Sequence, residues 1–449
     1  MASDDPILLF PLPLNPLELA FLSVDLPQYP MQFELCWHVT RELDFATWLE
    51  ACRAAVRRHP LFAATIGTGR SGQREWLAPT SYEPTVHQVE SSNSVDHSPL
   101  DPHRAPGFRI SVLSGEQGFQ IWLHVHHTVS DALGAVQVLA DIREHYFALM
   151  DDRPPELSPL DEFRLRGRTR FGLSSWGWCR RWPQDSLGLL GLYEYLFHRP
   201  VALGAILTIK EAPHVIESPP QTNLNTTLTA ENTRRLSARA RAEGVTVNDL
   251  LLTAGFLALH DTLTVNQPES ADAVVRIMIP TNLRLPSDSA TPAANIVSSV
   301  FLDRRPGRFH NSLALLRSVH REMRLCKVWK AGITLFRILS LKLWLSRGEL
   351  PPPRLDRCLT TAVLSNLGKI RTVACDPLKS EGEQEPTVER LEFAPPIAPM
   401  TAVAWGVVTW NERLSLTLNF DRQRLSPADA VAIQRRFELR LEEWLSTPE

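Results

Sequence analysis

Leu123-His124-Val125-His126-His127-Thr128-Val129-Ser130-Asp131-Ala132-Leu133-Gly134 joins an apolar alternation to a helical pattern. Upstream, Phe119, Ile121, Leu123 and Val125 fall on one face of a strand, and period two puts His127 with them and turns His124 and His126 to the other face. Downstream, Leu133, Val136, Leu139 and Ala140 form the apolar stripe of a helix over 132–150, with Ser130 or Asp131 as its N-cap. A histidine where a strand passes into a capped helix is held rigidly, and its ordinary pKa lies near neutrality. It is therefore a candidate general base. A structural histidine beside a capping aspartate remains the alternative on these residues alone. His124 and His126 also share a strand face, but a metal site needs a third ligand and the sequence has no HExxH or other zinc spacing, so no metal is expected.

Further out, strands and helices recur on both sides. Phe33 to Val39 alternates as a strand, Asp44 is a candidate N-cap, and Phe45, Trp48, Leu49, Cys52, Ala55 and Val56 repeat at helical spacing until Pro60 ends the helix. Phe108–Leu113 and Gly118–His127 form a strand pair closed by Ser114-Gly115-Glu116, and 81–106 is polar and turn-rich. Pro6 to Pro30 is apolar and rich in proline, which predicts an extended, packed segment rather than a helix. In the second half Thr229 and Thr246 open helices, and Ala273–Pro280 is an apolar strand running into Thr281-Asn282-Leu283-Arg284. Asn295–Leu302, Thr361–Leu367, Arg390–Phe393, Ala402–Thr409 and Leu414–Phe420 read as further strands, with helices over 311–329, 333–345 and 427–445. The pattern is α+β in two halves: an N-terminal lobe over 1–165 carrying the histidines, a basic, tryptophan-rich crossover over 166–222, and a C-terminal lobe over 223–449.

The 449 residues exclude a single small module. A formal charge of -3, from 50 acidic and 47 basic side chains, excludes a global basic field, so nucleic acid is not an expected partner. The six cysteines are scattered without a CxxC and read as reduced. Asp4 and Asp5 stand where a secretory signal would carry positive charge, and no apolar stretch has the length to span a bilayer. A cytoplasmic chain, soluble or resting on a membrane surface, is the expectation.

His126-His127-Thr128-Val129-Ser130-Asp131 resembles the HHxxxDG motif of the acyltransferase superfamily that includes chloramphenicol acetyltransferase, condensation domains of nonribosomal peptide synthetases, wax ester synthases and alcohol acetyltransferases. Arg58-His59-Pro60-Leu61, Thr246-Val247-Asn248-Asp249-Leu250-Leu251, Ile279-Pro280-Thr281-Asn282-Leu283-Arg284, Asn295-Ile296-Val297-Ser298-Ser299 and Ser365-Asn366-Leu367-Gly368 accompany it in the order the family shows. The resemblance, over about Pro16 to Trp444, implies two chloramphenicol acetyltransferase-like lobes, each a mixed sheet flanked by helices, with an active-site tunnel between them. It implies His127 as general base, His126 as its motif neighbour, and Asp131 as a structural anchor with Arg284 as partner. Ala132, Gly134, Arg284, Asn295, Ser365 and Asn366 are the implied substrate-binding positions, although Ser365, Asn366 and Asn295 equally fit turns that satisfy their own backbone. No bound cofactor is implied. The donor would be an acyl-CoA or a phosphopantetheine-linked acyl group, the acceptor a hydroxyl or amine, and an acyl carrier protein a candidate partner. The length leaves no room for a carrier or adenylation domain beside two lobes, so a free-standing enzyme is expected, leaning slightly toward lipidic substrates. Ala132 stands where the motif has glycine, which supports the competing expectation of a non-catalytic carrier- or partner-binding protein.

Two basic segments carry tryptophan. Trp176, Trp178 and Trp182 lie among arginines between Phe163 and His198, and from Arg321 to Arg347 seven basic residues accompany Trp329 and Trp344 with one acidic residue, Glu322. Core helices with solvated basic edges, a surface for an anionic membrane, and a receptor for the donor's phosphates are the alternatives.

Overall fold

The computed structural model describes residues 9–446, apart from 40–42, 71, 116–117, 175–176, 178–179, 182–184, 186–197, 205–222, 352–356 and 371–387. Trp176, Trp178, Trp182, Cys179, Cys375 and much of the crossover expected over 166–222 lie outside the described residues. The first half runs β1 (Leu12–Pro13), α1 (Pro16–Val24), β2 (Gln32–Val39), α2 (Phe45–Arg58), β3 (Thr65–Thr68), β4 (Arg74–Leu77), β5 (Val86–Val89), β6 (Phe108–Gly115), β7 (Gly118–His126) and α3 (Ala132–Met150). The second runs β8 (Leu224–Thr227), α4 (Ala230–Ala242), α5 (Val247–Asn266), β9 (Val275–Asn282), β10 (Val297–Arg304), α6 (Ser312–Val328), α7 (Ala331–Leu345), β11 (Ala362–Lys369), β12 (Val388–Ala394), β13 (Val403–Trp410), β14 (Arg413–Phe420) and α8 (Pro427–Ser446).

Two mixed sheets with helices against them make the α+β architecture read from the sequence. The first has the order β12-β2-β7-β6-β5, antiparallel except where β5 runs parallel to β6. The second has the order β10-β9-β11-β13-β14-β8, with β11 parallel to both of its neighbours. Packed α2 and α3 bury Trp48, Cys52, Val56, Val138 and Ile142 with the first sheet, and α5 and α8 bury Leu251, Phe256, Ile433 and Phe437 with the second. A small sheet, β1-β4-β3, lies at the N-terminal side. No single helix among the described residues is long and apolar enough to cross a membrane. In α7, Ile333, Phe336 and Leu343 are buried and Leu341, Trp344 and Leu345 are exposed.

The structure departs from the sequence reading in three places. First, the proline-rich segment contains a helix, α1. Pro16 occupies the first helical position, where a missing N–H costs nothing, and Asn15 and Glu18 close a reciprocal capping box. Second, β12 does not stay with the lobe assigned to 223–449. It pairs with β2 and covers that strand's open edge, burying Leu391 and Phe393 in the first core. Gly406 on β13 permits the crossing, because a Cβ there would collide with the Phe393 carbonyl. Third, β4, β5 and β8 are four-residue strands without the apolar alternation that would announce them.

The start of the crossover is bound to the first lobe through a buried ion pair. Arg168 donates to Glu18 from Nε and Nη2, both at 2.7 Å, and the same carboxylate accepts from Asn15 N at 2.9 Å and Trp76 Nε1 at 3.2 Å. Glu18 is wholly buried. Arg168→Ala strands that charge and is expected to lower the unfolding free energy by about 3–5 kcal/mol, measured by urea denaturation.

Candidate functional site

Strand β7 ends at His126, and the chain turns through 127–130 into α3. Two main-chain bonds hold the turn: His127 N donates to Met31 O at 2.7 Å, and Val129 N to His126 O at 2.9 Å. The three histidines are divided by strand period. His127 lies on the core side, its ring stacked on Phe21 of α1 with centroids 4.0 Å apart and meeting the edge of Phe33 at 5.5 Å. His126 is buried on the other side, with Nδ1 accepting from Thr128 N and Nε2 3.3 Å from the Asp25 carboxylate. His124 shares that side and faces Glu34 and His97.

Asp131 is the N-cap of α3. Its carboxylate accepts four hydrogen bonds: from Gly134 N at 2.9 Å, from Ile296 N at 2.9 Å, and from both Nη atoms of Arg284 at 2.8 Å each. Arg284 also donates to Ala294 O at 2.9 Å. Beside it, Asn295 Nδ2 donates to the carbonyls of His127 and Thr128 at 2.7 and 2.9 Å, while Ala293 N donates to His59 Nδ1 at 3.0 Å. His59 Nε2 in turn lies 3.1 Å from Asp141, which therefore receives its proton. Thus 293–296 of the second half runs along the histidine turn of the first, bonded at every residue.

The electrostatics of His127 follow from its surroundings. Its ring keeps a small solvent-facing edge, yet protein surrounds it, and burial pushes its pKa below the ordinary histidine value. The residue's own carbonyl and the Asp131 carboxylate oppose that shift, and the charge of His126 adds to it. Its Nδ1 is buried and without a hydrogen-bond partner among the described residues.

The remaining candidates are placed less directly. Ala132 is 7% exposed, and its methyl group packs in the first core. Gly134 is a close-approach position: a Cβ there would strike Ser130 Oγ and crowd the Ala294 backbone, and its N–H is taken by Asp131. Arg284 and the Nδ2 of Asn295 bind the motif itself, while Asn295 Oδ1 is buried without a hydrogen-bond partner among the described residues. Ser365 is buried on β11, and Asn366 accepts from Gly368 N at 2.8 Å and donates to Asn248 at 3.2 Å, which holds the strand end. A cavity of about 280 Å³ is lined by His38, Thr227, Leu228, Thr229, Arg390 and Arg413 and by none of the motif residues, so it is not the expected tunnel. Sequence reading missed Phe21 because it missed α1, although Asn15-Pro16-Leu17-Glu18 carries the signal of a capped helix start. Phe33 was read as a strand residue without a role at the histidine.

No family model matches the chain. A stretch of 154 residues is 26% identical to nonribosomal peptide synthetase 32 of Fusarium pseudograminearum (strain CS3096), covering 30% of this chain and 2% of that protein. Among solved structures, the epimerization domain from the third module of tyrocidine synthetase B superposes with a TM-score of 0.68 at 13% identity, covering 97% of each chain. The first condensation domain of the CDA synthetase gives 0.67 at 17%, covering 97% of this chain and 96% of its own. The fold is that of a condensation domain. Polyketide synthase associated protein 5 from Mycobacterium tuberculosis shares it with a TM-score of 0.59 at 14% identity, over 96% of this chain and 98% of that one. The resemblance carried by the motif thus extends to the fold, which these structures share over nearly the whole chain.

Two outcomes follow from the site's geometry. Asp131→Ala leaves the Arg284 guanidinium unpaired at a largely buried seam and is expected to lower stability by about 3–5 kcal/mol in urea denaturation. Phe21→Ala removes the ring stacked on His127, so the imidazole pKa should rise toward the ordinary value of about 6.5 in an NMR titration. An unchanged pKa would mean that Phe21 does not keep the ring dry.

Proposed function

We propose that this chain is an acyltransferase in which His127 is the general base. The observation that carries the reading is the imidazole at the end of β7, pinned through its backbone by Met31 and Asn295, with burial lowering its pKa. The acyl group comes from a thioester, either acyl-CoA or a phosphopantetheine arm on a carrier protein, and the acceptor is a hydroxyl or amine. His127 removes the acceptor's proton as its oxygen or nitrogen attacks the thioester carbonyl, and the tetrahedral oxyanion then expels the thiolate. The proton held by His127 passes to that sulfur, so the base is regenerated and no covalent enzyme intermediate is needed. Asp131 and Arg284 act as anchors that fix the turn carrying the base.

A second reading is favoured by one contact. Phe21 lies flat on the imidazole, as it would in a non-catalytic protein that keeps the fold for binding a carrier or partner. Purified protein incubated with acyl-CoAs, acyl carrier proteins and a panel of alcohols and amines separates the two, because only an enzyme yields acylated product and free thiol by mass spectrometry. His127→Ala is expected to lower kcat/KM by about 10²-fold or more while leaving the unfolding curve unchanged. In the active wild type the acid limb of the kcat/KM profile should lie below about 6.5, since a base with a lowered pKa stays unprotonated to lower pH. Turnover by a folded His127→Ala within a few-fold of wild type overturns the assignment.

A further inference from the structure

The outer face of the first sheet carries an unusual number of ligand-type side chains. Glu34, Cys36 and His38 alternate on β2, Glu34 lies directly opposite His124 on β7, and the segment over 95–100 brings His97 down onto both. We propose that Glu34, His97 and His124 form a binding site for a divalent transition metal ion of the zinc type, separate from the His127 site and independent of the proposed activity.

Three ligand atoms converge there. His124 Nε2 is 2.9 Å from Glu34 Oε2, His97 Nδ1 is 3.3 Å from the same oxygen, and the two ring nitrogens are 3.1 Å apart. Each nitrogen offers either a proton or a lone pair in that direction, never both, so with Glu34 as a carboxylate no placement of protons on the two rings makes all three contacts attractive. A cation at the centre makes all three attractive together. The dimensions fit: bonds of about 2.0–2.1 Å to zinc in tetrahedral geometry separate neighbouring ligand atoms by about 3.3 Å. One imidazole from each side and a carboxylate leave a fourth position open, as three-ligand zinc sites do.

The ligands are also oriented from outside. Asn223 donates to Glu34 Oε1 at 3.2 Å, which leaves Oε2 to the histidines. Gln32 donates to His97 O at 3.2 Å and accepts from Leu100 N at 2.9 Å, and Arg109 donates to both Ser98 Oγ and Ser98 O, so the turn holding His97 is built before any ion arrives. Arg109, opposite His124 on β6, is ion-paired with Asp96 and does not neutralise Glu34. The neighbouring group of Cys36, His38 and Glu392 is the weaker candidate. Arg390 already pairs with Glu392 at 2.7 Å.

The test uses tag-free full-length protein stripped with a chelator and titrated with Zn²⁺ against a chromogenic competitor, with Co²⁺ as an optical probe. Wild type should take up one equivalent of Zn²⁺ and show the visible absorption of four-coordinate Co²⁺. Its melting temperature should rise with Zn²⁺, because binding stabilises the folded state alone. His97→Ala, at a partly exposed loop position, and Glu34→Gln should each weaken Zn²⁺ binding by about 10²-fold or more, while His38→Ala leaves it unchanged. Absence of Zn²⁺ uptake by wild type, or uptake retained by folded His97→Ala, overturns the proposal. Loss of binding in His38→Ala alone would place the ion in the other group and overturn it equally.

Discussion

The carboxylate of Asp131 is where the two halves of the chain become one object. Its oxygens receive the first turn of α3, the guanidinium of Arg284 and the main chain at Ile296, so a helix start, a strand end and an irregular segment share one buried charge. A buried carboxylate is costly unless its lone pairs are filled, and here all four donors are supplied by protein. The neighbouring bonds depend on this one being made. Once Ile296 is tied to Asp131, Asn295 falls against the carbonyls of His127 and Thr128, and Ala293 falls against His59.

That arrangement gives His127 a rigid backbone and a dry ring at the same time. The rigidity comes from polar bonds to its main chain and the aromatic cover from Phe21 and Phe33, while the ring Nδ1 has no hydrogen-bond partner among the described residues. A histidine engaged at both nitrogens is a structural fixture, as His59 is between Ala293 and Asp141. A histidine clamped only through its peptide groups keeps its proton-transfer capacity available. This contrast, between two histidines of the same sequence at the same seam, is the physical basis for assigning them different work.

How far the sequence could be read depended on how local each signal was. Helix α3 appears at the bounds its apolar stripe predicts, and the second-half strands from β9 to β14 appear within two or three residues of theirs, because periodicity and caps are properties of neighbouring residues. Helix α1 was hidden by a rule applied too broadly: prolines argue against a helix interior but not against its first position. The capture of β12 by the first sheet has no local signal at all. It depends on an unsatisfied edge of β2, more than 300 residues away in the chain, and on the missing side chain of Gly406.

By itself, then, the sequence determined which histidine faces the core, that the following helix is capped at Ser130 or Asp131, and which superfamily the motif resembles, since alternation, capping and short motifs are written in adjacent positions. The Asp131 to Arg284 pairing was legible only through that resemblance. The aromatic cover of His127, the hold of Asn295 on its carbonyl, and the meeting of Glu34, His97 and His124 were decided by tertiary structure alone. Each joins side chains whose proximity is set by how sheets and helices pack, and packing depends on matching surfaces that no stretch of sequence contains on its own.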